Sequence, residues 1–188
     1  MTELDVPEIR DRYRRIAAGL DDRLARLTPE QWSETTPCTE WDNRGLITHV
    51  VEVHRGMGAM LTGEEPAPVT SDTDLAAAWQ DARGVIESAM ADDATATRVI
   101  DTKMFGTMPF AAVVGGLLAT DTLVHTWDLA RATGQDESLD PAGVANAFAL
   151  LKSFGDGIRS PGAFGPAVEP PADADEQTCF ICYTGRPA

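Results

Sequence analysis

Six apolar residues, Ile9, Tyr13, Ile16, Leu20, Leu24 and Leu27, recur at spacings of 4, 3, 4, 4 and 3 in a segment that is otherwise charged. That rhythm follows the 3.6-residue turn and not the two-residue repeat of a strand, so it predicts a helix over 7–27 with one buried stripe. A single amphipathic helix cannot shelter its own stripe, so the chain must supply partners for it. The same periodicity returns over 43–61, with Leu46, His49, Val50, Val53 and Met57 on one side, and over 73–91, with Leu75, Trp79, Ala82 and Ile86 inward. A fourth helix is expected from Pro109 to Thr133, ended by Gly134 as a left-handed cap. Asp140 and Pro141 open a fifth that reaches Ser153.

Start signals agree with this division. Pro7 suits the first turn of the first helix, Thr28 and Pro29 open a short turn, Asp42 or Asn43 caps the second helix, and Asp72 is expected to cap the third. The stretch "TATRVIDTKMFGTM" is rich in β-branched residues and reads either as a short strand or as an extended connection. From Gly155 onward glycine and proline predominate, which predicts an irregular wrap. The sum is an all-α fold: a four-helix bundle with an additional C-terminal helix and an irregular tail, forming one domain over 1–188. There is no internal repeat.

Composition narrows the function. A net charge of −15 offers no basic footprint for nucleic acid or for an anionic membrane. No run of 18 uncharged apolar residues occurs, and the opening "MTELDVPEIRDRYRR" lacks a basic segment followed by an apolar one. Three cysteines do not make a disulfide framework. These features predict a cytoplasmic protein with free thiols and leave room for a homodimer. Cys179 and Cys182 form a lone CxxC without the second pair a zinc ribbon needs, and their apolar neighbours suggest a packed terminal segment. Cys38 is expected near a helix N-terminus, where a thiolate is favoured, so a nucleophilic role is the alternative to the default of a packed thiol.

Two inward positions do not fit a plain core. His49 lies between Leu46 and Val53 on the buried face of the second helix, and His125 follows Asp121 by one turn on the fourth. A carboxylate and an imidazole four residues apart can grip one ion from the same side, and a histidine from the facing helix would bring the protein ligands to three. The competing reading keeps the histidines as hydrogen-bonded core residues and lets Asp121 serve a helix turn, although an unpaired buried carboxylate is costly. His54 points about 140° away from His49, too far to share its ion. Glu52 is placed to support His49. Asp128, three residues after His125, could orient that ring, with a solvent-facing role the stronger expectation. Arg44, Arg55 and Arg131 read as surface or ion-pair residues, each able to meet an anionic substrate. Phosphate-cradling glycine motifs, HExxH and nucleophile elbows are absent.

Together "TPCTEWDNRGLITHVVEVHRGM", "DTLVHTWDLARATG" and the closing "TGRP" resemble the DinB-like metal-binding bundles, and more closely the N-terminal domain of mycothiol-dependent maleylpyruvate isomerase with its single-domain relatives. The resemblance implies His49, Asp121 and His125 as ligands of a divalent ion in an open site, zinc first, with nickel and iron as other fits. It further implies mycothiol or a similar low-molecular-weight thiol as cosubstrate and a small electrophile as its target, hence a thiol transferase or isomerase. A non-catalytic module that holds a metal or ligand is the alternative.

Overall fold

The computed structural model describes residues 4–102, 106–159 and 164–188. Helix α1, Val6–Leu24, buries the predicted stripe, with Ile9, Tyr13, Ile16, Leu20 and Leu24 all inside. The Asp5 side chain accepts from the Glu8 backbone N–H at 3.0 Å, and Pro7 lies in the first turn, where its missing N–H costs nothing. Helix α2, Asn43–Thr62, starts on Asp42, which accepts from the Gly45 N–H at 2.7 Å, and stops at Gly63 with φ of 75°. Helix α3, Leu75–Ala91, is capped by Asp74 and not, as expected, by Asp72. The reason is local: Thr70 and Thr73 close a turn, the Thr70 N–H donating to Thr73 Oγ1 at 2.9 Å, so the chain reaches helical geometry two residues later. Thr28 opens only a 3₁₀ turn over Glu30–Ser33.

Helix α4, Phe110–Thr133, is the central element. It is long and apolar enough to cross a membrane, yet 78% of its most apolar window is buried inside this fold. Its regular turns are interrupted by a π-helical segment, Val114–Leu118, and it ends on Gly134 with φ of 65°. The π segment contains Gly115, where a Cβ would stand 2.6 Å from Ile9 Cγ2, so α1 and α4 approach too closely for any side chain. Helix α5, Pro141–Phe154, starts on Asp140 and packs against both α4 and α1, with Gly143 close to Leu123 and Ile16.

Of the two alternatives for the stretch before α4 the strand holds, and the tail is more regular than the expected irregular wrap. The stretch before α4 forms a hairpin, β1 Val99–Asp101 against β2 Thr107–Pro109, antiparallel with Ile100 opposite Met108. Ile100 is buried while Val99 faces out, the alternation of a half-covered strand. The middle of the quoted stretch, 103–105, lies outside the described residues. In the tail, helix α6, Glu176–Tyr183, begins on Asp175 and packs Phe180 and Ile181 into a second apolar cluster with Trp127, Val144 and Leu151. The first cluster joins α1, α2, α3 and α4, which contributes its N-terminal half and Leu129. Helix α4 belongs to both clusters, and Asp121 and His125 lie on it downstream of the π segment.

Candidate metal centre

His49 from α2 and Asp121 and His125 from α4 converge. His49 Nε2 lies 3.2 Å and His125 Nε2 3.5 Å from Asp121 Oδ1. One ligand-type atom from each residue falls within 4.8 Å of the other two, the single such grouping of three among the described residues. The spacing logic on α4 holds only downstream of the π segment. An extra residue in that turn rotates the preceding half of the helix relative to Asp121 and His125. Asp121 Oδ2 is buried and has no hydrogen-bond partner.

Each imidazole is held from behind. His125 Nδ1–H donates to Asp128 Oδ2 at 3.1 Å, which leaves Nε2 facing Asp121. Asp128 is fully buried, so the expected solvent-facing role is wrong: its other contacts are Arg186 Nε to Oδ1 at 2.8 Å and Arg186 Nη2 to Oδ2 at 2.7 Å. His49 is stacked on Trp41, with ring centroids 4.6 Å apart and an interplanar angle of 26°. Trp41 comes from the connector ahead of α2, where its N–H donates to the Cys38 carbonyl at 2.9 Å and Thr36 Oγ1 donates to the Cys38 and Trp41 carbonyls. That tight turn places Cys38, Glu40 and Trp41 on the rim of the site. Glu52 is exposed, with no hydrogen bond to His49 among the described residues, which removes the supporting role expected for it.

The electrostatics follow from this packing. Burial pushes the Asp121 carboxyl up, but the His125 charge and hydrogen bonds from His125 and His49 outweigh it and hold it well below the usual carboxylate range. Burial likewise works against a charged His125, yet Asp121 and Asp128 raise that imidazole to about 9. For Asp128 burial is overcome by hydrogen bonds from Arg186 and then His125, and the carboxyl stays low. Burial raises the Cys38 thiol, with Arg186 only partly offsetting it, which favours the packed thiol over the nucleophilic role.

A cavity of about 280 Å³ opens over the triad, walled by Trp41, Leu117, Leu150, Leu151 and Phe164 and reached by Cys38, Glu40, Thr120 and Arg186. The other candidate residues lie elsewhere. His54 is fully buried, donating from Nδ1 to the Val50 carbonyl at 2.8 Å and lying edge-on to Trp79. Arg44 and Arg55 donate to loop carbonyls, and Arg131 pairs with Glu137 at 2.8 Å. Cys179 and Cys182 are free thiols on α6. Sequence reading missed Trp41 and Arg186. The "TPC" to "W" segment and the closing "TGRP" carried a signal of similarity for them but none of geometry.

Comparison with known proteins accords with this architecture. The profile of the mycothiol maleylpyruvate isomerase N-terminal domain matches residues 13–130. Uncharacterised proteins of Mycobacterium tuberculosis, strains H37Rv and CDC 1551, are 34% identical over 170 residues, covering 87% of this chain and 91% of theirs. Among solved structures, mycothiol-dependent maleylpyruvate isomerase superposes with a TM-score of 0.57 at 16% identity, and a histidine-to-alanine variant of it with 0.59 at 14%. Each comparison covers 82% of this chain and 70% of the other, and at that identity shares the DinB-like fold alone. By the extent of the profile match and the identity to its mycobacterial relatives, the chain belongs to the mycothiol maleylpyruvate isomerase N-terminal domain family.

Proposed function

We propose that the protein is a divalent-metal-dependent enzyme in which His49 Nε2, Asp121 and His125 Nε2 hold one ion, zinc by donor chemistry, and that it adds mycothiol or a related thiol to a small electrophile. The observation that carries this reading is the convergence of one carboxylate and two imidazoles beneath a cavity, with Asp121 Oδ2 buried and unpartnered. Two nitrogens and one anionic oxygen suit a zinc-like ion, and three protein ligands leave a position for a substrate. The solved structural neighbours are named as mycothiol-dependent isomerases, which supports a thiol as the cosubstrate.

A bound divalent ion would favour the thiolate over the thiol and so supply a nucleophile at neutral pH. The chain's own residues do the rest. Asp128 fixes the tautomer of His125, Trp41 fixes the plane of His49, and the leucine walls with Phe164 exclude water from the reacting atoms. On binding, the thiol proton leaves to solvent; sulfur then bonds to one carbon of the electrophile's conjugated double bond, whose π pair moves onto the adjoining carbonyl. Rotation about the resulting single bond, return of that pair to the carbon–carbon bond and departure of the thiolate would make the net change an isomerisation.

Metal analysis of untagged protein purified without added metal tests the reading, with about one ion per chain expected and His49→Ala and His125→Ala expected to lose it. Full metal content in both variants would sink the ligand assignment. A loaded protein that accelerates no thiol consumption across a panel of electrophiles would reduce it to a metal-binding module.

A further inference from the structure

The walls of the cavity also bear on what can enter it. Trp41, Leu117, Leu150, Leu151 and Phe164 are apolar, and beyond the His49, Asp121 and His125 cluster Arg186 is the single cationic side chain among the described residues that line it. Both carboxylate-facing edges of Arg186 are already engaged by Asp128, at 2.8 and 2.7 Å, so it has no charge to lend to a ligand. Glu40 stands exposed at the rim, and the whole chain carries a net charge of −15, which repels an approaching anion. One donor is free. The hydroxyls of Thr122 and Thr126 donate to backbone carbonyls four residues back, at 2.8 and 2.7 Å, whereas Thr120 Oγ1 is buried with no partner and its residue lines the cavity beside Asp121.

Resting on the thiol-addition reading above, we propose that the electrophile is an uncharged, largely apolar carbonyl compound whose carbonyl oxygen accepts from Thr120, and not a dicarboxylate. With the open metal position taken by the thiol, a carboxylate placed among the remaining walls loses its water and meets neither a free cation nor a set of donors, a cost that an ester or ketone escapes. A single neutral hydroxyl fits a single carbonyl oxygen. The site is thereby distinguished from one built for the anion in the structural neighbours' name, maleylpyruvate.

The test uses unreactive probes of matched shape, dimethyl succinate and succinate, so that binding is separated from turnover. Saturation-transfer NMR is run on zinc-loaded protein with 2-mercaptoethanol in excess, to keep succinate off the metal, and repeated on metal-free protein. The diester is expected to bind at least about tenfold more tightly than the dianion in both, and Thr120→Val to weaken the diester by about three- to tenfold while leaving succinate unchanged. Equal or tighter binding of succinate overturns the proposal, as does failure of both probes to bind. A diester preference that persists in a protein without metal or thiol turnover would sink the proposed function and leave this assignment of the cavity intact.

Discussion

Asp128 has no solvent exposure, and it stays ionised because Arg186 meets both of its oxygens while His125 donates to one. Removing only the cation leaves a bare buried charge. Arg186→Met is therefore expected to cost about 3–5 kcal/mol of stability, read from urea unfolding. The same variant loses control of the His125 ring, so metal affinity against a competing chelator should fall by about 10- to 100-fold. The double variant Asp128→Asn, Arg186→Met removes both charges and should recover much of the stability without recovering the affinity. Unchanged metal affinity in the single variant would show that the pair is structural only. His54 makes a second residue-scale prediction. Burial is the leading cause that lowers it from 6.5 to about 4, so the folded protein refuses a proton that the unfolded chain accepts between those values. Stability from this group is complete above pH 6.5 and is lost as pH falls toward 4, by about 3 kcal/mol. Urea midpoints at pH 7 and pH 4.5 should separate in the parent and draw closer in His54→Leu. An identical pH slope in the two would refute the assignment.

The helices themselves were legible because an apolar residue every three or four positions admits little else, and Asp42, Asp140 and Gly134 mark ends that the structure keeps. The triad was legible for the same reason, since Asp121 and His125 share one face of regular helix. What lay outside local spacing was not. The π segment Val114–Leu118 has no pattern of its own; it reflects how closely α1 and α4 must pass at Gly115, a tertiary demand. Arg186 reaches Asp128 across 58 residues, and no periodicity connects positions so far apart. The close approach of α1 and α4 gives the prediction at this scale. Gly115→Ala would drive its Cβ to 2.6 Å from Ile9 Cγ2, a branched and buried side chain that cannot swing aside. A loss of about 1–3 kcal/mol is expected from such overpacking. Gly84→Ala in α3, exposed and with no atom within 4 Å of the new Cβ, should instead gain up to about 1 kcal/mol from helix propensity. Thermal unfolding of the two variants checks both signs, and a Gly115→Ala protein as stable as the parent would mean that α1 and α4 can separate at no cost.

At the scale of the whole molecule the triad is a clasp. His49 belongs to α2, Asp121 and His125 to α4, and the Asp128–Arg186 pair extends the connection to the end of the chain beyond α6. An ion gripped by the first three would draw on the folded arrangement of two helices, and the unfolded chain offers no comparable site. Metal should therefore stabilise by mass action: at a free concentration about 100 times Kd the gain is about 2.7 kcal/mol. For a chain of 188 residues each kcal/mol moves the unfolding midpoint by about 2–4 °C, so zinc should raise Tm by about 5–10 °C and a chelator should reverse it. The gain should vanish in Asp121→Asn, which keeps the shape but not the anionic donor. Because Arg186 is tied to His125 only through Asp128, amide exchange around Thr184 and Arg186 should slow on metal addition although neither residue touches the ion. Equal midpoints with zinc and with chelator would remove the ion from the folded state altogether. Slower exchange confined to α2 and α4 would keep the ion but cut the connection to the C-terminal segment.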